Sequence, residues 1–293
     1  MPRRPPGTRQ GRPLTHSPEG TPAPAAPGGR RRGRRWFAAA GCTAALLAPA
    51  GPLAPGAAAE DGDGGKPNGV ERLDPGKVAA KARSALLGAD SLRLRLDDRG
   101  EAGSAGNQLT AMDLRLDTRG DCRGSLTLGG GGSVTMVKRG DEIWMKPDRA
   151  FWRGQLQDRG DAMARKVHGR YVHGTTRDSL LSPLAGACDL DGFRHQLTDG
   201  AGGRNGGPPA YKGRPTQVGG VEALPLVREQ KGTANTLYVA TRGRPYPVQL
   251  TQRGPGADVR VRLTEYQRPV HAQPPPTSSS VDVAVLENRV HRV

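Results

Sequence analysis

Apolar and polar positions alternate over much of this chain. In "SLRLRLDD" Leu92, Leu94 and Leu96 fall on one side and Arg93 and Arg95 on the other, and "AMDLRLD" repeats the arrangement with Met112, Leu114 and Leu116. A period of two sends successive side chains to opposite faces of an extended backbone, so both stretches predict strands with one face buried and one wet. "GSLTL", "SVTMVK" and "DEIWMKP" follow at short, glycine-punctuated intervals, the pattern of an antiparallel meander. A glycine-rich loop, "TDGAGGRNGGPP", later returns the chain to strands in "YKGRPTQVGG", "VEALPLVRE", "NTLYVATRG", "PYPVQLTQ" and "ADVRVRLTEY".

Helical spacing interrupts this pattern twice. Before the first strand, Val78, Ala82 and Leu86 share a helical face, with Asp74 placed to cap the start, Pro75 suited to the first turn and Gly88 at the end. Between Asp158 and about Leu197 the spacing is helical in pieces, broken by Gly169, Gly174, Pro183 and Gly192, which predicts two or three short helices. Strands, helices, strands is the order of one α+β domain, expected over residues 74–289. Residues 60–73, which include "EDGDGGKPNGVER", read as a flexible linker ahead of it. In "YVATRGRPYPVQL" two strands meet at a turn with Gly243 as its flexible position. Pro245 and Pro247 share a parity, which predicts that their missing donors face an edge or solvent.

Charge changes the picture only at the front. The chain of 293 residues carries a net charge of +16, but residues 1–35 hold nine Arg and one acid, Glu19, so this stretch alone supplies half of the excess. Behind it come an apolar run from Trp36 to Ala48 and small residues at Ala57 and Ala59. Basic segment, apolar run and small-residue cleavage site are the three parts of an export signal, expected over residues 1–59. The run is shorter than the roughly 18 residues a membrane span needs, and Pro49, Pro52 and Pro55 stop it from lengthening. "RRWF" at Arg34 to Phe37 resembles the core of a twin-arginine export signal, though Gly33 precedes the pair and the general route stays open. With the basic leader so explained, aromatics at 4% and no recognition motif argue against nucleic acid as a partner.

Three cysteines follow the same logic. Cys42 lies inside the export signal, either removed with it or serving as a lipid attachment site; the position three before it, where a lipobox normally has Leu, is Ala39. Membrane association would require that acylation or a retained signal. Cys122 and Cys188 are left as an even pair in an oxidising destination, which predicts a disulfide between them.

The order of motifs resembles that of actinobacterial envelope lipoproteins of the LppX and LprG kind, related in fold to the LolA-type lipoprotein carriers. The resemblance rests on "GSVTMVKRGDEIWMKPDRAFW" from Gly132, "GRYVHG" from Gly169, "LYVATRGRPYPVQL" from Leu237, "VRLTEYQRPVHAQPP" from Val261 and the closing "SSVDVA". It implies a curved antiparallel half-barrel with an N-terminal helix and a few short helices on its concave side. It further implies an exported, non-enzymatic protein holding a lipid-like ligand in an apolar cavity.

The candidate lining is the apolar parity of the predicted sheet: Met136, Ile143, Met145, Leu226, Leu237, Val239, Val248, Leu250 and Val261, with Trp152 from the aromatic group Trp144, Phe151 and Trp152. Alternation alone does not distinguish a cavity wall from a filled core. Arg93, Arg95, Arg260 and Arg262 alternate with these positions and read as a solvated face. His168 and His173, five apart and without a cysteine or carboxylate cluster, do not suggest a metal site. No G-x-S-x-G elbow, H-E-x-x-H helix or Walker loop is present, so neither a catalytic residue nor a cofactor is expected. A ligand-free interaction or sensing module is the alternative, and a hydrolase with a dispersed triad the more distant one.

Overall fold

In the computed structural model, which describes residues 65–101, 108–202 and 210–290, the first helix is α1 (Pro75–Leu87). Asp74 stands at its N-cap and Pro75 in its first turn, where no backbone donor is needed. Val78, Ala82 and Leu86 are buried along one face, as their spacing requires.

Thirteen strands form one open, curved sheet. The first meander comprises β1 (Ser91–Asp98), β2 (Leu109–Asp117), β3 (Cys122–Leu128), β4 (Ser133–Arg139) and β5 (Glu142–Pro147). The second comprises β7 (Tyr211–Lys212), β8 (Thr216–Val218), β9 (Val221–Gln230), β10 (Thr233–Ala240), β11 (Pro247–Gly254) and β12 (Ala257–Thr264). The two meet where β1 pairs antiparallel with β12. Beyond β5 the sheet gains β6 (Tyr171–Thr175) and then β13 (Ser280–Asp282), giving the order β13-β6-β5-β4-β3-β2-β1-β12-β11-β10-β9-β7, with β8 also on β9.

The remaining helices are α2 (Arg149–Leu156), α3 (Gly160–Val167), α4 (Ser182–Ala187), α5 (Leu190–Gly202) and α6 (Val283–Val290). Asp148 caps α2 by accepting from the Phe151 amide at 2.7 Å.

Several expectations need correction. The sheet is mixed, because β13 runs parallel to β6. β6 lies within the stretch read as helical; five residues containing His173 and Gly174 are too few to show a period. The closing "SSVDVA" gives only three strand residues before α6 begins. The linker reading fails from Gly65 onward. Val70 is buried, Asn68 donates its side-chain amide to the Ala240 carbonyl at 2.8 Å, and Arg242 Nε donates to the Gly65 carbonyl at 2.9 Å. Residues 65–68 thus dock on the turn between β10 and β11, whose Gly243 takes the left-handed conformation at φ 63°. β11 is an interior strand, not an edge; Pro247 is tolerated as its first residue, beside a bulge opposite Tyr238 and Val239.

Candidate functional site

Cross-strand register turns the alternation into continuous rows on the face that carries the helices. One row passes through Leu263, Leu94, Leu114, Gly124, Met136 and Met145, in neighbouring register from β12 to β5. Its side chains are buried throughout, and Gly124 is required there, since a Cβ would collide with the Asp113 carbonyl. The adjacent row passes through Leu237, Leu250, Val261, Leu96 and Met112, from β10 to β2. These five are only half-buried, although Leu226 and Leu126 at the two ends are buried. Four inter-strand steps of ~4.8 Å make this open stretch about 19 Å long.

A helical cover is fastened over the buried row. Cys122 of β3 is disulfide-bonded to Cys188, which follows α4, and both are buried with Leu86, Leu116 and Leu190 in one cluster. Arg194 of α5 donates to the carbonyls of Leu87 and Ala89 at 2.8 and 2.7 Å, tying α5 to the end of α1, and also pairs with Asp191. Asp189 accepts from the Gly192 amide at 2.9 Å and fixes the start of α5.

The sequence-derived candidates do not converge on one site. Met136 belongs to the cluster beneath the disulfide, and Val261 and Leu250 pack at its margin. Ile143, Met145 and Trp152 fill a second cluster with Phe151 and Leu181. Leu226 and Val239 pack with Val70 and Val78, with Leu237 beside them. Val248 packs instead with Ala223 and Ala240, residues of opposite parity to Leu224 and Val239, because the bulge interrupts the alternation of β11 against β10. Leu96 and Met112 were visible as alternating residues, yet only the register shows that they complete the half-buried row. The aromatic group is split too. Phe151 and Trp152 meet edge to face at 5.5 Å, whereas Trp144 points to the other face of the sheet and stacks on His173 at 4.7 Å. Cys42 and the expected export signal lie outside the described residues.

The opposite face is a charge network. Arg93 donates to both Asp113 oxygens at 2.7 and 2.6 Å and to Glu265 at 3.0 Å, while Arg115 grips Glu265 at 2.6 and 2.9 Å and Arg95 adds a bond to Asp113 at 3.0 Å. Hydrogen bonding by Arg93 holds the Asp113 carboxyl below its ordinary value against the opposing effect of burial. Burial raises Glu265, but the guanidinium bonds from Arg115 and Arg93 outweigh it, so the net direction is again downward. Arg93 is correspondingly raised, first by its bond to Asp113. Three guanidinium groups thus share two carboxylates, leaving one positive charge in excess, and Arg93, Arg95 and Arg115 are structural partners rather than free cations.

A cleft of about 680 Å³ lies at the far end of the sheet, between β4 to β6 and helices α2 and α3. Of the sequence-derived candidates, only Trp152 borders it.

No family model and no curated protein matches the chain. Among solved structures, it is similar to the lipoprotein LppX of Mycobacterium tuberculosis, at 13% identity and a TM-score of 0.44 over 68% of this chain and 98% of that one. It is also similar to LprF of Mycobacterium bovis, at 12% identity and a TM-score of 0.48 over 69% and 96%. A LolA superfamily protein of Nitrosomonas europaea aligns at 6% identity and a TM-score of 0.22 over 70% and 96%. These are the kinds of protein that the motifs resemble. At such identities and scores the likeness assigns neither ligand nor activity.

Proposed function

We propose that this is an exported envelope protein that acts by binding, without chemistry, and that it holds an acyl-bearing amphipathic ligand along the half-buried row of its sheet. The observation that carries the reading is the contrast between rows: Leu237, Leu250, Val261, Leu96 and Met112 form a continuous aliphatic track that their neighbours leave partly open. Apolar surface so arranged gains from contact with an acyl chain at about 25 cal/mol per Å² removed from water. The test is mass spectrometry of organic extracts from the protein purified from its host. Stoichiometric recovery of an acyl-bearing molecule is expected, and its absence overturns the proposal.

A second reading, a ligand-free interaction module of the envelope, is favoured by a different observation. Met136, Ile143, Met145 and Val239 are 0% exposed and packed among neighbours, so that part of the apolar face is a filled core. This reading expects lipid-free protein that co-purifies with a protein partner in defined ratio.

A further inference from the structure

We propose that the cleft between β4 to β6 and helices α2 and α3 binds a phosphate group carried on a partly apolar molecule. Its volume of about 680 Å³ is that of a small-molecule site. The local fold explains why cations gather there. On β5, Met145 points into the core, so Lys146 must point the other way, and its ammonium lies 5.7 Å from the centre of the Tyr171 ring. Arg165 in the last turn of α3 and His168, which ends that helix in a left-handed conformation at φ 52°, line the same cleft as Lys146.

The charges are cancelled only in part from within, because Lys146 and Arg165 share the lining with a single carboxylate. Asp148 is the one carboxylate in the lining, and both of its oxygens are engaged: Oδ1 by the Phe151 amide, Oδ2 by the amide and hydroxyl of Ser133 at 3.0 and 2.9 Å. Arg149 is held by Asp161 at 2.7 Å. Among the described residues, no carboxylate pairs with Lys146 or Arg165, and both are exposed. A phosphate, with several acceptor oxygens, suits two such cations and the Thr135 hydroxyl beside them. The half-buried Tyr171 supplies apolar surface for the remainder of the ligand, with the buried Pro147 and Trp152 behind it. The site is separate from the half-buried row, and the proposal does not depend on what that row holds.

Calorimetric titration of the protein purified from its host tests this, with dihexanoyl phosphatidic acid as the lipid phosphate, glycerol 3-phosphate as the soluble one and dihexanoylglycerol as the uncharged control. Phosphatidic acid should bind, more weakly as salt rises, and Lys146→Gln and Arg165→Gln should each lower its affinity by about tenfold. Equal affinity for glycerol 3-phosphate would uphold the phosphate site and overturn its assignment to a partly apolar molecule. The proposal is overturned if neither phosphate binds, if dihexanoylglycerol binds as tightly as phosphatidic acid, or if the folded double variant, verified by its melting curve, matches the unsubstituted protein.

Discussion

The two meanders obey the same alternation, yet they finish differently. Around β3 to β5 the inward side chains disappear under α2, α4 and α5, with Met136, Ile143 and Met145 fully enclosed. From β10 across to β2, the row of the same parity and chemistry through Leu237, Leu250, Val261, Leu96 and Met112 remains half-open. The difference lies in what covers the sheet. A disulfide, a guanidinium and a capped helix start hold the cover over the first region, and among the described residues no such fastening reaches the row through Leu250. Burial on a sheet face is therefore a property of the partner layer as much as of the strand.

Removing the fastening should have the largest effect on this contrast. Replacing Cys122 and Cys188 by Ser releases a cross-link spanning 66 residues. The chain-entropy treatment predicts a loss of about 4 kcal/mol in unfolding free energy, measurable in urea. Hydrogen exchange should quicken in α4 and α5 first, with β9 and β10 still protected. Equal acceleration in both would mean that the sheet and cover open as one unit, and the distinction between the regions would not hold.

Truncation compares the rows directly. Met136→Ala removes a wholly enclosed side chain and should cost about 2–5 kcal/mol, whereas Leu250→Ala, already half-exposed, should cost about 1 kcal/mol. Similar losses would show that the second row is packed as tightly as the first. Leu250→Asp then asks whether the open row binds: it should weaken binding of a fluorescent acyl probe by about tenfold with little change in melting temperature, since the carboxylate keeps access to water.

Much of this was legible from residues alone. Strands such as "SLRLRLDD" declared themselves by period, α1 by the spacing of Val78, Ala82 and Leu86, and the disulfide by the even pair of cysteines. The site was less legible, because it depends on register and cover, which alternation does not encode. Val248 has the parity of Leu250 but packs elsewhere, since one bulge shifts the pairing of β11 on β10. Leu96 meets Met112 on the consecutive strands β1 and β2, but it joins Val261 only through the pairing of β1 with β12, a contact between distant parts of the chain. The cleft was illegible for a similar reason: Lys146 and Arg165 belong to different elements, β5 and α3, whose approach no local pattern encodes.

The smallest expected effect concerns the face that bears no apolar row. Asp113 and Glu265 are held below their ordinary values of 3.8 and 4.5, so between those values and the folded ones the unfolded chain binds more protons. Stability from these carboxylates is therefore complete above about pH 5 and declines as pH falls through the folded values. Asp161 is also depressed, by Arg149 and then Arg153, but it is exposed and screened by solvent, so its contribution should be slight. Urea midpoints measured from pH 6 to pH 2 should thus lose their acid decline more in the pair Asp113→Asn and Glu265→Gln than in Asp161→Asn. Acyl-probe affinity in the paired variant at pH 6 should be unchanged, because the substituted side chains point away from Leu250 and Val261. A coupled loss of probe binding would mean that the charged face sets the curvature of the open row, and the two faces of the sheet would have to be treated as one device.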